Sequence, residues 1–244
     1  MRKHICIALF SLLFVLETAH TQELNPVSLW FPFVSVGYGD IPPTAIADYY
    51  NTLVQYYRDQ GIPIPTQTPF GNTIMANAGM LVRPSPGVSV GLSLGYLHSP
   101  AYSSYADNAG TLKVNGSLNT IEIMLVFEGP LVHLWDFPLL LRAEAGVLHA
   151  SALIEEELKF EGQPVYDFNS TWKASGWGAP FRITMGTSIP LGRFAATAHF
   201  GYQFSTTAVT NGKTESTAGN TANYSLIDIG QSGIVLLLGF GMSL

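Results

Sequence analysis

Charge, cysteine and long apolar runs are all scarce in this sequence. Asp, Glu, Lys and Arg make up 11% of the 244 residues, against roughly 25% in an ordinary soluble domain. The single cysteine, Cys6, sits inside the apolar run Ile5–Leu16, with no small-residue site before it to suggest a lipoprotein. A chain processed beyond that run has no thiol, which excludes disulfides and cysteine metal sites. Basic residues are few as well. Without Arg2, Lys3 and Glu17 the counts fall from 11 basic and 17 acidic to 9 and 16, a net charge of −7. An acidic chain without a basic stripe is a poor partner for nucleic acid. Nor is there a membrane-spanning helix, which needs roughly 20 apolar residues; Ile234–Phe240 is far shorter.

What is present is a leader followed by alternation. Arg2, Lys3 and His4 precede the apolar run, and Ala19 and Thr21 flank His20, so residues 1–21 read as a signal peptide and 22–244 as one barrel domain. Period-two segments then repeat between turn signals. Val88, Val90, Leu92, Leu94 and Tyr96 share one face, opposite Ser89, Gly91, Ser93 and Gly95. Leu236, Leu238, Phe240 and Met242 oppose Gly239, Gly241 and Ser243 in the last segment. Strands are expected over 28–39, 71–83, 87–98, 113–128, 138–153, 171–189, 193–206 and 228–243. Tight turns at 84–86 and 190–192 and a short link at 129–137 alternate with longer connections at 40–70, 99–112, 154–170 and 207–227.

A soluble strand face would carry Lys, Glu, Thr or Gln. Here the second face is Gly, Ser, Ala and Thr, the filling of a narrow lumen, so the bulky face must be the outside. In water that outside would be one continuous apolar patch. The expectation is an all-β fold: an eight-stranded antiparallel transmembrane β-barrel with long extracellular loops. Trp30, Phe31, Phe33, Trp135, Phe137, Phe194 and Phe240 fall near the short-turn ends. Tyr38, Tyr96, Trp177, Tyr202 and Phe204 fall near the long-loop ends, as aromatic girdles would.

With its turn-and-loop rhythm and its closing segment through Leu236, Leu238, Phe240, Met242 and Leu244, the chain resembles the small bacterial outer-membrane barrels, the OmpA transmembrane barrel and its relatives. It departs from them in ending on Leu244 rather than an aromatic residue. The resemblance implies an outer-membrane location in a Gram-negative cell, lipid and lipopolysaccharide as surroundings, and no cofactor. It names no ligand.

Three sets of residues could carry function. Glu122, Arg142, Glu144, Arg182 and His199 lie on the small-residue faces of their strands, and charges in a narrow lumen should pair. They form either a plug or the gate of a small, porin-like pore. Residues 43–61 read as an amphipathic helix with Ile46, Tyr49, Tyr50, Leu53, Val54 and Tyr57 on one face, Thr44 able to cap it and Gly61 able to end it. That face packs on the protein's own loops, lies on the membrane, or meets an extracellular ligand. His149 and Ser151 resemble the His-x-Ser of outer-membrane lipid A deacylases, with Ala152 where that pattern has Asn and no strand carboxylate to orient the histidine. The weighed functions are therefore a non-catalytic structural or surface-interacting barrel, a passive pore or hydrophobic-substrate channel, and, last, a lipid A-modifying enzyme. No metal-ligand spacing emerges from His98, His133, His149 and His199.

Overall fold

A computed structural model describes residues 30–85, 87–134, 137–216, 221–224 and 229–243. The signal peptide expected over 1–21 lies outside them, as do Trp135 and Leu244.

Among the described residues ten strands and one α-helix follow in order: β1 Trp30–Asp40, α1 Thr44–Asp59, β2 Thr66–Thr68, β3 Asn72–Ser85, β4 Val88–Asp107, β5 Gly110–Leu134, β6 Phe137–Phe160, β7 Phe168–Leu191, β8 Phe194–Ser216, β9 Thr221–Tyr224 and β10 Ser232–Met242. A short 3₁₀ turn, Pro164–Tyr166, precedes β7. Eight strands close a ring in the order β10-β1-β3-β4-β5-β6-β7-β8, with β8 pairing back to β10 and every neighbour antiparallel. Short strands β2 and β9 add to β4 and β8 beyond the ring.

The side chains alternate as a lipid-embedded barrel requires. Val34, Val36, Leu92, Leu94, Ile123, Leu125, Ile183, Phe200, Leu236 and Leu238 are exposed on the outside. Ser93, Asn77, Thr184, Gln203 and Glu122 are buried on the inside. Sheet geometry explains why: successive side chains take opposite faces, so one register decides the whole wall.

The strands differ greatly in length. β5 has 25 residues, whereas β1 and β10 have 11 each. At about 3.3 Å per residue β5 runs roughly 80 Å, which at a tilt near 40° rises about 60 Å, more than twice a lipid-facing band of about 25 Å. The excess lies on the long-loop side. Where a loop was expected over 99–112, β4 and β5 continue to Asp107 and Gly110 and close through Asn108 and Ala109. Asp107 accepts hydrogen bonds from the Ala109 and Gly110 amides, which fixes that turn. Similarly, β6 runs to Phe160, seven residues past the expected end of its strand.

Along this extension the hydrophobic pattern changes sides. In β5 the bulky residues Ile121, Ile123, Leu125 and Phe127 point out, while Leu112, Val114 and Leu118 point in and are buried. On β6 and β7 the same happens, with Ala150, Ala152, Ile154, Trp172 and Ala174 inside. These inward residues and α1 form the main apolar core.

Helix α1 fills that core. Ile46, Tyr50, Val54 and Tyr57 are buried. Tyr50 stands edge-on to Phe70 at 5.5 Å and donates a 2.7 Å hydrogen bond to Ser103 Oγ. Leu53 packs at the margin of the core, and Tyr49 is exposed but tilts its ring over Trp172 at 5.5 Å. Proline, not Thr44, holds the first cap: Pro43 precedes the helix with no side-chain hydrogen bond. The C-terminal end follows expectation more closely. Gly61 adopts φ +87°, and the amides of Gly61 and Ile62 bond back to the Arg58 and Tyr57 carbonyls, the paired bonds of a Schellman ending.

Candidate functional site

Below the apolar core, within the lipid-facing band, the lumen is crossed by a hydrogen-bonded charge network. Register builds it. Glu144 on β6 stands opposite Arg182 on β7, and Arg182 opposite Gln203 on β8. Arg182 is fully buried and donates to Glu144 Oε2, Glu122 Oε2 and Gln203 Oε1, each at 2.7 Å. Gln203 Nε2 donates to Glu122 Oε1 at 2.7 Å, closing a cycle across the barrel from β8 to β5. Arg142 donates twice to Glu144 Oε1, at 3.0 and 2.7 Å, and lies 3.7 Å from Glu128.

Toward the short-turn end the cations are also covered by aromatic rings. Arg142 stacks over Phe33 at 4.5 Å and Arg83 over Phe31 at 5.2 Å. Phe31 and Phe33 are therefore inward and buried, not members of an outer girdle: odd-numbered residues of β1 face the lumen. Trp30, Phe194 and Phe240 do face outward, the last two stacked at 5.2 Å. On the opposite rim Tyr38, Tyr96, Trp177, Tyr202 and Phe204 are all exposed.

Four of the five lumen residues chosen from sequence thus join one network. His199 lies inward and buried but stands apart. It lies 4.0 Å from Glu128, and neither ring nitrogen has a hydrogen-bond partner among the described residues. Sequence reasoning missed Gln203 and Glu128 as members. Glu128 shares the parity of Glu122 on β5, and Gln203 that of His199 on β8, so alternation carried the signal. The pairing itself needed the strand register. Arg83, bonded to Ser89 and stacked on Phe31, stands beside this network, so the membrane-level lumen carries three arginines and three glutamates among the described residues.

His149 and Ser151 occupy the outer surface of β6. The His149 ring stands edge-on to Trp177 at 4.9 Å, and among the described residues no hydrogen bond joins it to Ser151 or to a carboxylate. In the extension above, Glu156 faces inward beside Ile154 and Leu158. Burial pushes its carboxyl up to about 7, so near neutrality that interior holds a substantially protonated acid. Among the described residues no group of three His, Cys, Asp or Glu side chains could hold a metal ion.

A closed antiparallel ring with an apolar outside, an inside holding a paired charge network and aromatic residues at both rims defines the chain as an outer-membrane β-barrel of eight strands. No family model and no curated protein matches it. Among solved structures it is similar to Ail, the attachment invasion locus protein of Yersinia pestis, at 11% identity and a TM-score of 0.38, over 87% of this chain and 97% of that one. It is also similar to a major outer membrane protein from Thermus thermophilus, at 13% identity and a TM-score of 0.46, over 87% and 98%. The translocator domain of the autotransporter NalP from Neisseria meningitidis aligns at 10% identity and a TM-score of 0.25, over 99% and 96%. At these identities the likenesses bear on no individual residue.

Proposed function

We propose that the protein is a closed outer-membrane barrel that serves at the cell surface, structurally or by binding, and neither conducts nor catalyses. One observation carries this reading: the lumen is blocked twice in series. The Arg182 network spans it within the membrane, and α1 fills it above, with Ile46 and Tyr50 fully buried. Eight-stranded interiors are just wide enough for side chains, and here they are used up. The part left to act is the extension, which carries β4 to β8 beyond the lipid and presents their turns to the outside. Lipopolysaccharide beside the wall and an extracellular ligand at the turns are the partners this shape suits.

The test is conductance. Purified protein in planar bilayers should give no steady current, and deletion of residues 43–61 should leave the barrel closed because the charge network lies below. A reproducible conductance that changes on Arg142→Ala would establish the pore instead. For the enzymatic alternative, His149 packs on Trp177 with no acidic partner among the described residues, so lipid A acylation should be identical in cells with and without the protein.

A further inference from the structure

Within the lipid-facing band, strand pairing among the described residues is interrupted at one place, between β6 and β7. The ladder runs from Leu158–Phe168 to Leu148–Gly178 and resumes at Ala145–Phe181. Gly146 and Val147 therefore face Pro180 and Ala179 unpaired, in an unchanged register, so no residue has been inserted. Both outer neighbours remain paired: Met124–Gly146 and Ile123–Val147 on one side, Ala179–Thr206 and Pro180–Ser205 on the other. The other irregularities of the ring, at Val82/Ser85, Pro130/Val132 and Ser175/Gly176, fall at or beyond the edges of the band. Pro180 accounts for the gap, since its nitrogen has no hydrogen to give to β6.

A proline in a closed wall at membrane depth is costly. Sheets confine proline to edges and bulges, and hydrocarbon offers unpaired main-chain groups no partner. The surroundings of this seam suit a guest. On its outer face Ala145 and Ala179 are exposed and small, between Val147 and Trp177 toward the outside and Phe181 toward the inside. The result is a shallow apolar groove continuous with the belt that lipid already covers. At its extracellular end stand His149 and the exposed Ser151, with Lys173 two rungs further along β7, polar groups at headgroup height.

We infer that the β6–β7 seam binds one acyl chain of an outer-leaflet lipid. The chain lies in the Ala145–Ala179 groove and reaches between the strands at Gly146 and Pro180, and the headgroup rests at His149 and Ser151. This site is independent of whether the lumen conducts.

The experiment uses the full barrel in vesicles of phosphatidylcholine bearing a diazirine midway along one acyl chain, irradiated and mapped by mass spectrometry. Adducts should concentrate at the seam and include the lumen-facing Gly146 or Pro180, in excess over outward positions such as Leu94, Leu125 and Leu236. Adducts spread evenly around the belt, with none on lumen-facing residues, would overturn the site. Pro180→Val restores the missing donor and should abolish the inward adducts while gel mobility still shifts on heating; unchanged adducts would refute the mechanism. Should that variant not fold, Ala179→Trp fills the groove from outside, and persistence of the inward adducts in it has the same force.

Discussion

Arg182 is the side chain on which the membrane-level interior depends most. Its guanidinium has no exposed surface and satisfies two glutamates and a glutamine at once. A buried ion pair contributes little net stability, because desolvating the charges nearly cancels their attraction. Removing one partner is different, since it strands the others in a low dielectric. Arg182→Met should therefore destabilise the barrel by about 3–5 kcal/mol, read from urea unfolding in detergent. The combined variant with Glu122→Gln should recover most of that loss, because Glu144 then keeps Arg142 as its partner. Equal stability of wild type and Arg182→Met would mean that the network is not formed as described.

Among the elements, α1 shows how far local pattern reaches. Its face was legible from the spacing of Ile46, Tyr50, Val54 and Tyr57, and its end from Gly61. Its place was not, because the surface it packs on comes from β4 to β7, distant in sequence. Tyr50→Ala removes the edge-on contact with Phe70 and the bond to Ser103. Truncating a large buried aromatic costs about 3–5 kcal/mol, here borne by the extension. The expected outcome is rapid protease cleavage within 41–71 in a barrel that still shifts in gels on heating. Resistance equal to wild type would show that α1 is held by something else.

The strand ends explain the other shortfall of sequence reading. Ring strands were legible wherever lipid wets the outside, because bulky residues then alternate with small ones, as in Leu92 to Tyr96. Past Tyr96 the outside meets water, and Pro100, Ser104 and Asn108 look like a loop. The strand continues nonetheless, held by the pairs from His98–Asn119 to Asp107–Gly110.

Taken as one body, the chain reverses its packing along its length. Inside the band the bulky residues of the outer face turn to lipid, and the interior combines the charge network with small apolar clusters around Phe31 and Met75. Beyond it they turn in, around α1, and the exterior carries Lys113, Glu155, Glu157, Lys173 and Lys213. Both halves obey one rule, that apolar surface avoids water. The surrounding medium changes from hydrocarbon to water as the wall rises, so the hydrophobic face of the same strands must change with it.

Spin labels on single cysteines in vesicles probe that reversal directly. At Leu94, Leu125, Ile183 and Leu236 they should collide often with dissolved oxygen and rarely with a water-soluble nickel chelate, whereas labels at Glu155 and Lys173 should do the opposite. High nickel accessibility at the first four positions, or a protein that stays monomeric in buffer without detergent, would contradict a lipid-facing outside.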